Sequence, residues 1–502
     1  MAMTHAAARY FEQVAGRWDD LRAGYFTEAV REAALAKAHL RPEMVVADIG
    51  AGAGFMAAGL APWVKQVIAV DGSPAMIEAA RRALSAFDNV RFEVADGATL
   101  PFADGSLDAV FANMYLHHCP DPQAAIAEMV RVLRPSGRLV ITDLDQHDHA
   151  WLRQEMADEW LGFDRKQIKA WLRAAGLVNL IVDGTDQSCC ADSATDAARA
   201  AISVFVATGT RRVAGAREAV RANYGALAAD TSCSEADQVA QAGCCSSSSK
   251  ASPASCCSSE GGAQELVFFD AGYGPEQIAA VPAEAAALSL GCGNPTALAS
   301  LRPGEVVLDI GSGAGIDAFY AAQRVGPRGR VIGLDMTPEM VARAQRAAAA
   351  AGFSQVEFRV GQAEDMPVED NSVDVILSNC VINLVEDKGQ VFEEAYRVLK
   401  EGGRLSISDV VTAGPLPMAA RGDMAGWAGC VNGALPEREY LDLIRQAGFT
   451  EISAQRTLSS GQIAGVPVYS LAVSARKGAN DNVGSCQGAP VPAGGRTTKG
   501  CG

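Results

Sequence analysis

Hydrophobic positions along this chain come in two alternating kinds. Short runs of Val, Ile and Leu (VVADI, VIAV, VRFEV, LDAVFA, RLVITD) are followed by Ala-rich amphipathic segments such as residues 75–87. Short apolar runs alternating with helical periodicity predict parallel strands joined by crossover helices. The pattern then repeats. VVADIGAGAG returns as VVLDIGSGAG, placing Asp309 opposite Asp48, and VIAVDGSPAMIEAARRA returns as VIGLDMTPEMVARAQRA. LPFADGSLDAVFAN and RVLRPSGRLVITD recur as MPVEDNSVDVILSN and RVLKEGGRLSISD. Two copies of one α/β domain, each a doubly wound Rossmann-like sheet, is the economical reading. Between them, residues 226–262 form a Ser, Ala and Cys tract with no apolar period, read as a linker or flexible thiol-bearing arm. The Gly- and Pro-rich stretch after Lys477 reads as disordered.

Composition narrows the function. The 502 residues carry 43 Lys+Arg against 59 Asp+Glu, a net charge of −16 with no basic stretch, which disfavours nucleic acid and anionic membrane as partners. No apolar run approaches the roughly eighteen residues that would span a bilayer, and the expectation is a soluble, cytoplasmic protein. Thirteen cysteines is a high and odd count, a poor fit to a secreted disulfide framework; these thiols are expected to bind or react.

The chemistry begins at the glycine turns. A strand ending at Ile310 runs into Gly311-Ser312-Gly313-Ala314-Gly315 and a helix, so bare backbone can approach a ligand and the helix start favours an anion. Asp335, followed by Met336, ends the next strand, where a carboxylate can accept both ribose hydroxyls of an adenosine. Gly50, Gly52, Gly54 and Asp71 repeat the arrangement. An acid (Asp309, or Asp48) followed by G-x-G-x-G rather than G-x-G-x-x-G points away from a pyrophosphate and toward a ligand with one small anionic group, which fits S-adenosylmethionine.

On DIGAGAG, DIGSGAG, Asp71 and Asp335 the chain resembles the class I S-adenosylmethionine-dependent methyltransferases over roughly residues 40–180 and 301–458. That resemblance implies that Asp96 and Glu364 lie near the adenine and that Asn113 and Asn379 end the fourth strand of each copy.

Cysteines separate the copies. Cys380 aligns with Met114, Cys430 with Phe163 and Cys292 with Arg31, so all three positions are thiol only in copy two. Their wide separation in sequence is unlike the close C-x-x-C pairs of structural zinc. Trivalent arsenic, which binds three thiolates in a pyramid and keeps a lone pair able to attack a sulfonium methyl, suits them better. All six histidines lie in copy one, and an arsenic lone pair carries no proton for a base to remove.

At SLGCGNP, SNCVINL and WAGCVNGAL the resemblance narrows to the arsenite methyltransferases, from about Arg217 to Arg476. It implies that Cys380 and Cys430 hold the arsenic, and that Cys292 with a further upstream thiol delivers it and takes part in redox cycling. Cys233, Cys244-Cys245 and Cys256-Cys257 are the candidates for that upstream thiol. The expected partners are arsenite or its thiol conjugates and a thiol reductant, thioredoxin or glutathione. Cys189, Cys190, Cys486 and Cys501 are read as surface thiols.

The domains on this reading are 1–210, a methyltransferase-like unit of unknown substrate; 211–264, connecting segment and Cys-rich arm; 265–476, the arsenite methyltransferase unit; and 477–502, the tail. Copy one keeps the cofactor residues, and its His117-His118 pair is either a base for a small acceptor or a structural cap. The acids and histidines at Asp143, Asp145, His147, Asp148 and His149 read as a solvated loop. Two other functions stay open: a tandem small-molecule methyltransferase with structural cysteines, and an arsenite-binding module without turnover.

Overall fold

The computed structural model describes residues 5–195, 197–229, 273–286, 293–421 and 432–478. In copy one, β1 (Val45–Ile49), β2 (Gln66–Asp71), β3 (Val90–Val94), β4 (Leu107–Asn113), β5 (Leu133–Leu144), β6 (Leu177–Asp192) and β7 (Arg199–Arg211) form one sheet of order 3-2-1-4-5-7-6. Copy two repeats that order with β8 (Val306–Ile310), β9 (Arg330–Asp335), β10 (Val356–Val360), β11 (Val373–Asn379), β12 (Leu399–Thr412), β13 (Phe449–Ile463) and β14 (Val466–Lys477). The sheets are not wholly parallel. β7 and β14 run antiparallel to both neighbours, because the short β6–β7 and β13–β14 connections can only make hairpins.

The central strands β1 and β8 are buried on both faces, as their near-continuous apolar sequences require. Strand order reverses beside each of them, between β1 and β4 and between β8 and β11, which opens a crevice at the carboxyl ends where ligands bind in doubly wound sheets. The helix after β2 starts at Ser73, whose side chain accepts the Met76 N–H, with Pro74 pre-set in the first turn. The helix Pro338–Ala351 ends at Gly352 in the left-handed conformation (φ 76°).

The two copies pack on each other. Helices Lys388–Val398 and Glu437–Gln446 of copy two lie against β6, and Ile181 from β6 is buried within the copy-two core. Asn179 is the polar pin of this seam. Its side chain accepts the Lys388 N–H (2.9 Å) and donates to the Glu386 carbonyl (3.1 Å), while its own N–H donates to Asp387 (3.2 Å). Arg138 on β5 and Glu439 form a buried ion pair at 2.9 Å, and Lys37 bridges Asp183 and Asp442. No helix among the described residues is long and apolar enough to cross a membrane.

Candidate active sites

Both glycine turns are built alike. In copy one the Gly52 N–H donates to one oxygen of Asp71 (2.9 Å) and the Ser73 N–H to the other (2.8 Å). In copy two the Gly313 N–H donates to Asp335 (2.9 Å), and the Thr337 N–H to its second oxygen (2.9 Å). Each strand-end carboxylate is therefore fixed by two backbone donors, with lone pairs left over toward the crevice. Burial pushes both carboxyls above the usual range, against those hydrogen bonds. Gly311 has φ 70°, and a β-carbon there would lie within 2.2–2.6 Å of the Val381 side chain. Gly313, φ 52°, would direct a β-carbon toward no described atom within 4 Å.

Not every expected cofactor residue lines the cavity. Gly54 and Gly315 cap the following helices at φ 94° and 99° and pack against Leu84 and against Phe319 with Phe358. Asp309 is buried behind its turn, and burial drives its carboxyl well above the ordinary range, with Asp317 and Asp335 adding to the rise. Asp48, which does border its cavity, is raised to about 7 by burial. Asp96, Gly50 and Gly52 line the copy-one cavity, and Gly311, Met336, Glu364 and Asn379 line that of copy two. Asn113 and Asn379 end β4 and β11. Glu364 is also paired with Arg217 at 2.8 Å.

The cavities differ in size and wall. That of copy one, about 420 Å³, is roofed by Tyr10, Phe11, Trp18 and Tyr25 from its first helices. That of copy two, about 120 Å³, is closed by Arg217, Val220 and Tyr224 on the helix Ala216–Ala229, which packs on Pro338–Ala351.

Beyond Asn113 and Asn379 the chain turns through one left-handed residue in each copy, Met114 (φ 51°) and Cys380 (φ 58°). Both donate their N–H to the next strand, to the Thr142 carbonyl and to the Ser408 carbonyl, at 2.8 Å in each case. Cys380 lines the copy-two cavity and is disulfide-bonded. Cys292 and Cys430 lie outside the described residues, as do Cys233, Cys244, Cys245, Cys256, Cys257, Cys486 and Cys501.

Beside Cys380, Asn379 belongs to a polar cluster whose other side chains, Tyr273 and Asp317, have no marking motif. The Tyr273 hydroxyl donates to Asp317 at 2.5 Å, and the Asn379 amide reaches Tyr273 (3.1 Å), Asp317 (3.2 Å) and the Gly293 carbonyl (2.8 Å). The copies themselves carry the signal that would have found Asp317, since its position two residues past the third turn glycine is Met56 in copy one.

Two expectations for copy one are corrected. Cys189 and Cys190 are not surface thiols: they sit on the long strand β6, Cys190 is buried and disulfide-bonded, and Cys189 faces the cavity. Burial raises the Cys189 thiol to about 12. Asp143 is not in a solvated loop. It ends up fully buried on β5, holding the His117 ring at 2.7 Å and the Leu116 N–H at 2.8 Å. Burial opposes charge on His117, but Asp143, with a contribution from Asp158, outweighs it and raises the imidazole to about 9.

With fold and site in hand, comparison with known proteins gives the class. Residues 47–141 and 301–448 each match a family model described as a methyltransferase domain. Each copy thus contains a stretch that matches a methyltransferase domain. Among curated relatives it is similar to the arsenite methyltransferase of Halobacterium salinarum, 49% identical over 181 residues, covering 36% of this chain and 46% of that protein. It is also similar to that of Homo sapiens, 43% identical over 152 residues, 28% of this chain and 40% of that protein. The chain thus spans about half or less of the length of these relatives. Among solved structures it matches an arsenic (III) S-adenosylmethionine methyltransferase from Chlamydomonas reinhardtii with 35% identity, covering 41% of this chain and 73% of that one at a TM-score of 0.38.

Proposed function

We propose that copy two transfers methyl groups from S-adenosylmethionine to thiolate-bound As(III), giving methylated arsenicals in arsenic detoxification. The observation that carries the reading is Cys380, a thiol position on the wall of the same cavity as Asp335 and Glu364, where copy one has methionine. The relatives named arsenite methyltransferases support it.

The cavity fits the cofactor. Gly313 leaves free the space a β-carbon would fill, and Asp335 is held by two N–H donors in the pose that accepts a ribose diol. When bound, S-adenosylmethionine supplies an electrophilic methyl on sulfonium sulfur. The chain's own residues then have three tasks. Asp335 and the glycine turn orient the nucleoside, with Glu364 toward the adenine. Once the thiol reductant has opened its disulfide, Cys380, with Cys430 and Cys292 in the same role, holds arsenic with its lone pair toward the methyl. No side chain has to take a proton, so positioning and the effective molarity it confers supply the rate.

Attack by the lone pair oxidises arsenic by two electrons. Two thiolates return them and become a disulfide, with Cys256 or Cys257 a candidate for one of the two, since neighbouring cysteines rarely pair with each other. Thioredoxin or glutathione then reduces that disulfide. The test is separation of arsenic species after incubating the purified chain with arsenite, methyl-labelled cofactor and a dithiol. Labelled methylarsenicals that vanish in Cys380→Ser but persist in Met114→Ser support the reading. Arsenite that remains unlabelled, or full turnover in Cys380→Ser, overturns it.

A further inference from the structure

The copy-one cavity contains a group of side chains that the arsenic reading leaves unused. After β4 the chain makes a helical turn, Leu116–His118, that presents two consecutive imidazoles. Asp143 binds Nδ1 of His117 at 2.7 Å, which leaves Nε2 as the ring's other ligand atom. That Nε2 lies 3.9 Å from Oδ1 of Asp158, and Nδ1 of His118 lies 3.8 Å from the same oxygen. The Ala157 carbonyl also lies 3.2 Å from that Nδ1, a contact the ring gives up when the nitrogen binds an ion, and Phe11 packs edge-to-face on the ring.

These separations are too long for hydrogen bonds. They are close to the spacing of two ligands on one ion, about 3.4 Å for bonds of about 2.0–2.1 Å in a tetrahedron. One ligand atom from each of His117, His118 and Asp158 falls within 4.8 Å of the other two. The three side chains are 7%, 12% and 4% exposed, and all three line the cavity. Asp158, 4% exposed, faces both imidazoles through a single oxygen, and an ion held between the three side chains would offset the cost of burying its charge.

We propose that His117, His118 and Asp158 form a binding site for a zinc-class divalent transition-metal ion in the wall of the copy-one cavity. Asp143 is its positioning residue. The donor set argues the class: two imidazoles and one carboxylate suit zinc and its neighbours, whereas calcium and magnesium call for oxygen alone. Carboxylate, imidazole and metal in line is the usual way a ligating histidine is oriented. Three protein ligands beside an open cavity leave a coordination position for an oxygen or nitrogen donor of an acceptor molecule, the arrangement of catalytic rather than closed structural sites. Copy two lacks the set, since Asn383 and Leu384 replace the two histidines and the Asn383 amide donates to the Val410 carbonyl at 2.6 Å. The site is independent of the arsenic reading.

The test is cobalt titration of the chelator-stripped full chain, compared with Asp158→Asn and His118→Gln. All three carry the same thirteen cysteines, so thiol binding cancels in the difference. The expected result is the loss of about one equivalent in each variant. The difference spectrum should show ligand-field bands, no sulfur-to-metal charge transfer, and displacement by zinc. Equal stoichiometry in the parent and in either variant that keeps the native circular dichroism overturns the proposal. A difference spectrum dominated by thiolate charge transfer does the same.

Discussion

Arg138 on β5 of the first copy and Glu439 on a helix of the second meet at 2.9 Å, with 6% and 2% of their side chains exposed. Burial alone would raise the Glu439 carboxyl. Arg138, with His39 and Arg421, reverses that and holds it at about 2. Removing one partner leaves a desolvated charge behind, so Glu439→Gln should cost about 3–5 kcal/mol. The double variant Arg138→Met/Glu439→Leu should recover most of it. Denaturant unfolding of the four proteins checks this, and a double variant no more stable than the singles would contradict it.

The same seam gives a pH dependence. Burial first, then Arg138, lowers the His39 imidazole to about 3. Below the ordinary value near 6.5 the unfolded chain takes up a proton that the folded chain refuses, so stability falls as pH drops from about 6.5 toward 3. Glu439 acts lower: its stabilisation is complete above its unfolded value near 4.5 and is lost as pH falls toward 2. His39→Gln should therefore gain on the parent as pH is lowered from 7 to 5. A stability difference that stays constant over that range would rule this out.

Asp71 and Asp335 are held alike, so calorimetry should find two cofactor molecules per chain, and one in either Asp71→Ala or Asp335→Ala. Arsenic methylation should be abolished only by Asp335→Ala. Loss in both variants would mean that the copies work jointly.

The turn glycines should separate folding from binding. A side chain at φ 52–70° costs about 1–2 kcal/mol. Gly313→Ala should stop near that figure, because its β-carbon meets nothing, yet should weaken cofactor binding by entering the cavity. Gly311→Ala also has to displace Val381 and should be the more destabilising of the two. Melting temperatures and cofactor titrations together test the order.

Much of this was legible in the sequence, for local reasons. Strands β1–β5 and their copies announce themselves as Val- and Ile-rich runs, and Asp71 and Asp335 stand at strand ends where an apolar run stops at an acid. What escaped depends on contacts distant in sequence. The antiparallel β7 and β14 have no pattern that distinguishes them from parallel strands. Asp143 looks solvated until β5 carries it under His117. Cys189 looks like a surface thiol because its strand alternates exposed and half-buried positions before it turns into the cavity. The pairing of Arg138 with Glu439 follows only from how the copies dock.

The turn at Met114 and Cys380 shows what duplication kept and what it released. A left-handed backbone at a residue that is not glycine is uncommon, and both copies retain it, with the same hydrogen bond, under unlike side chains. The main chain therefore acts as a fixed socket at the mouth of each crevice. Whatever atom is mounted there, thioether or thiol, meets the incoming molecule in the same pose, so a single codon change can give an inherited scaffold a new appetite.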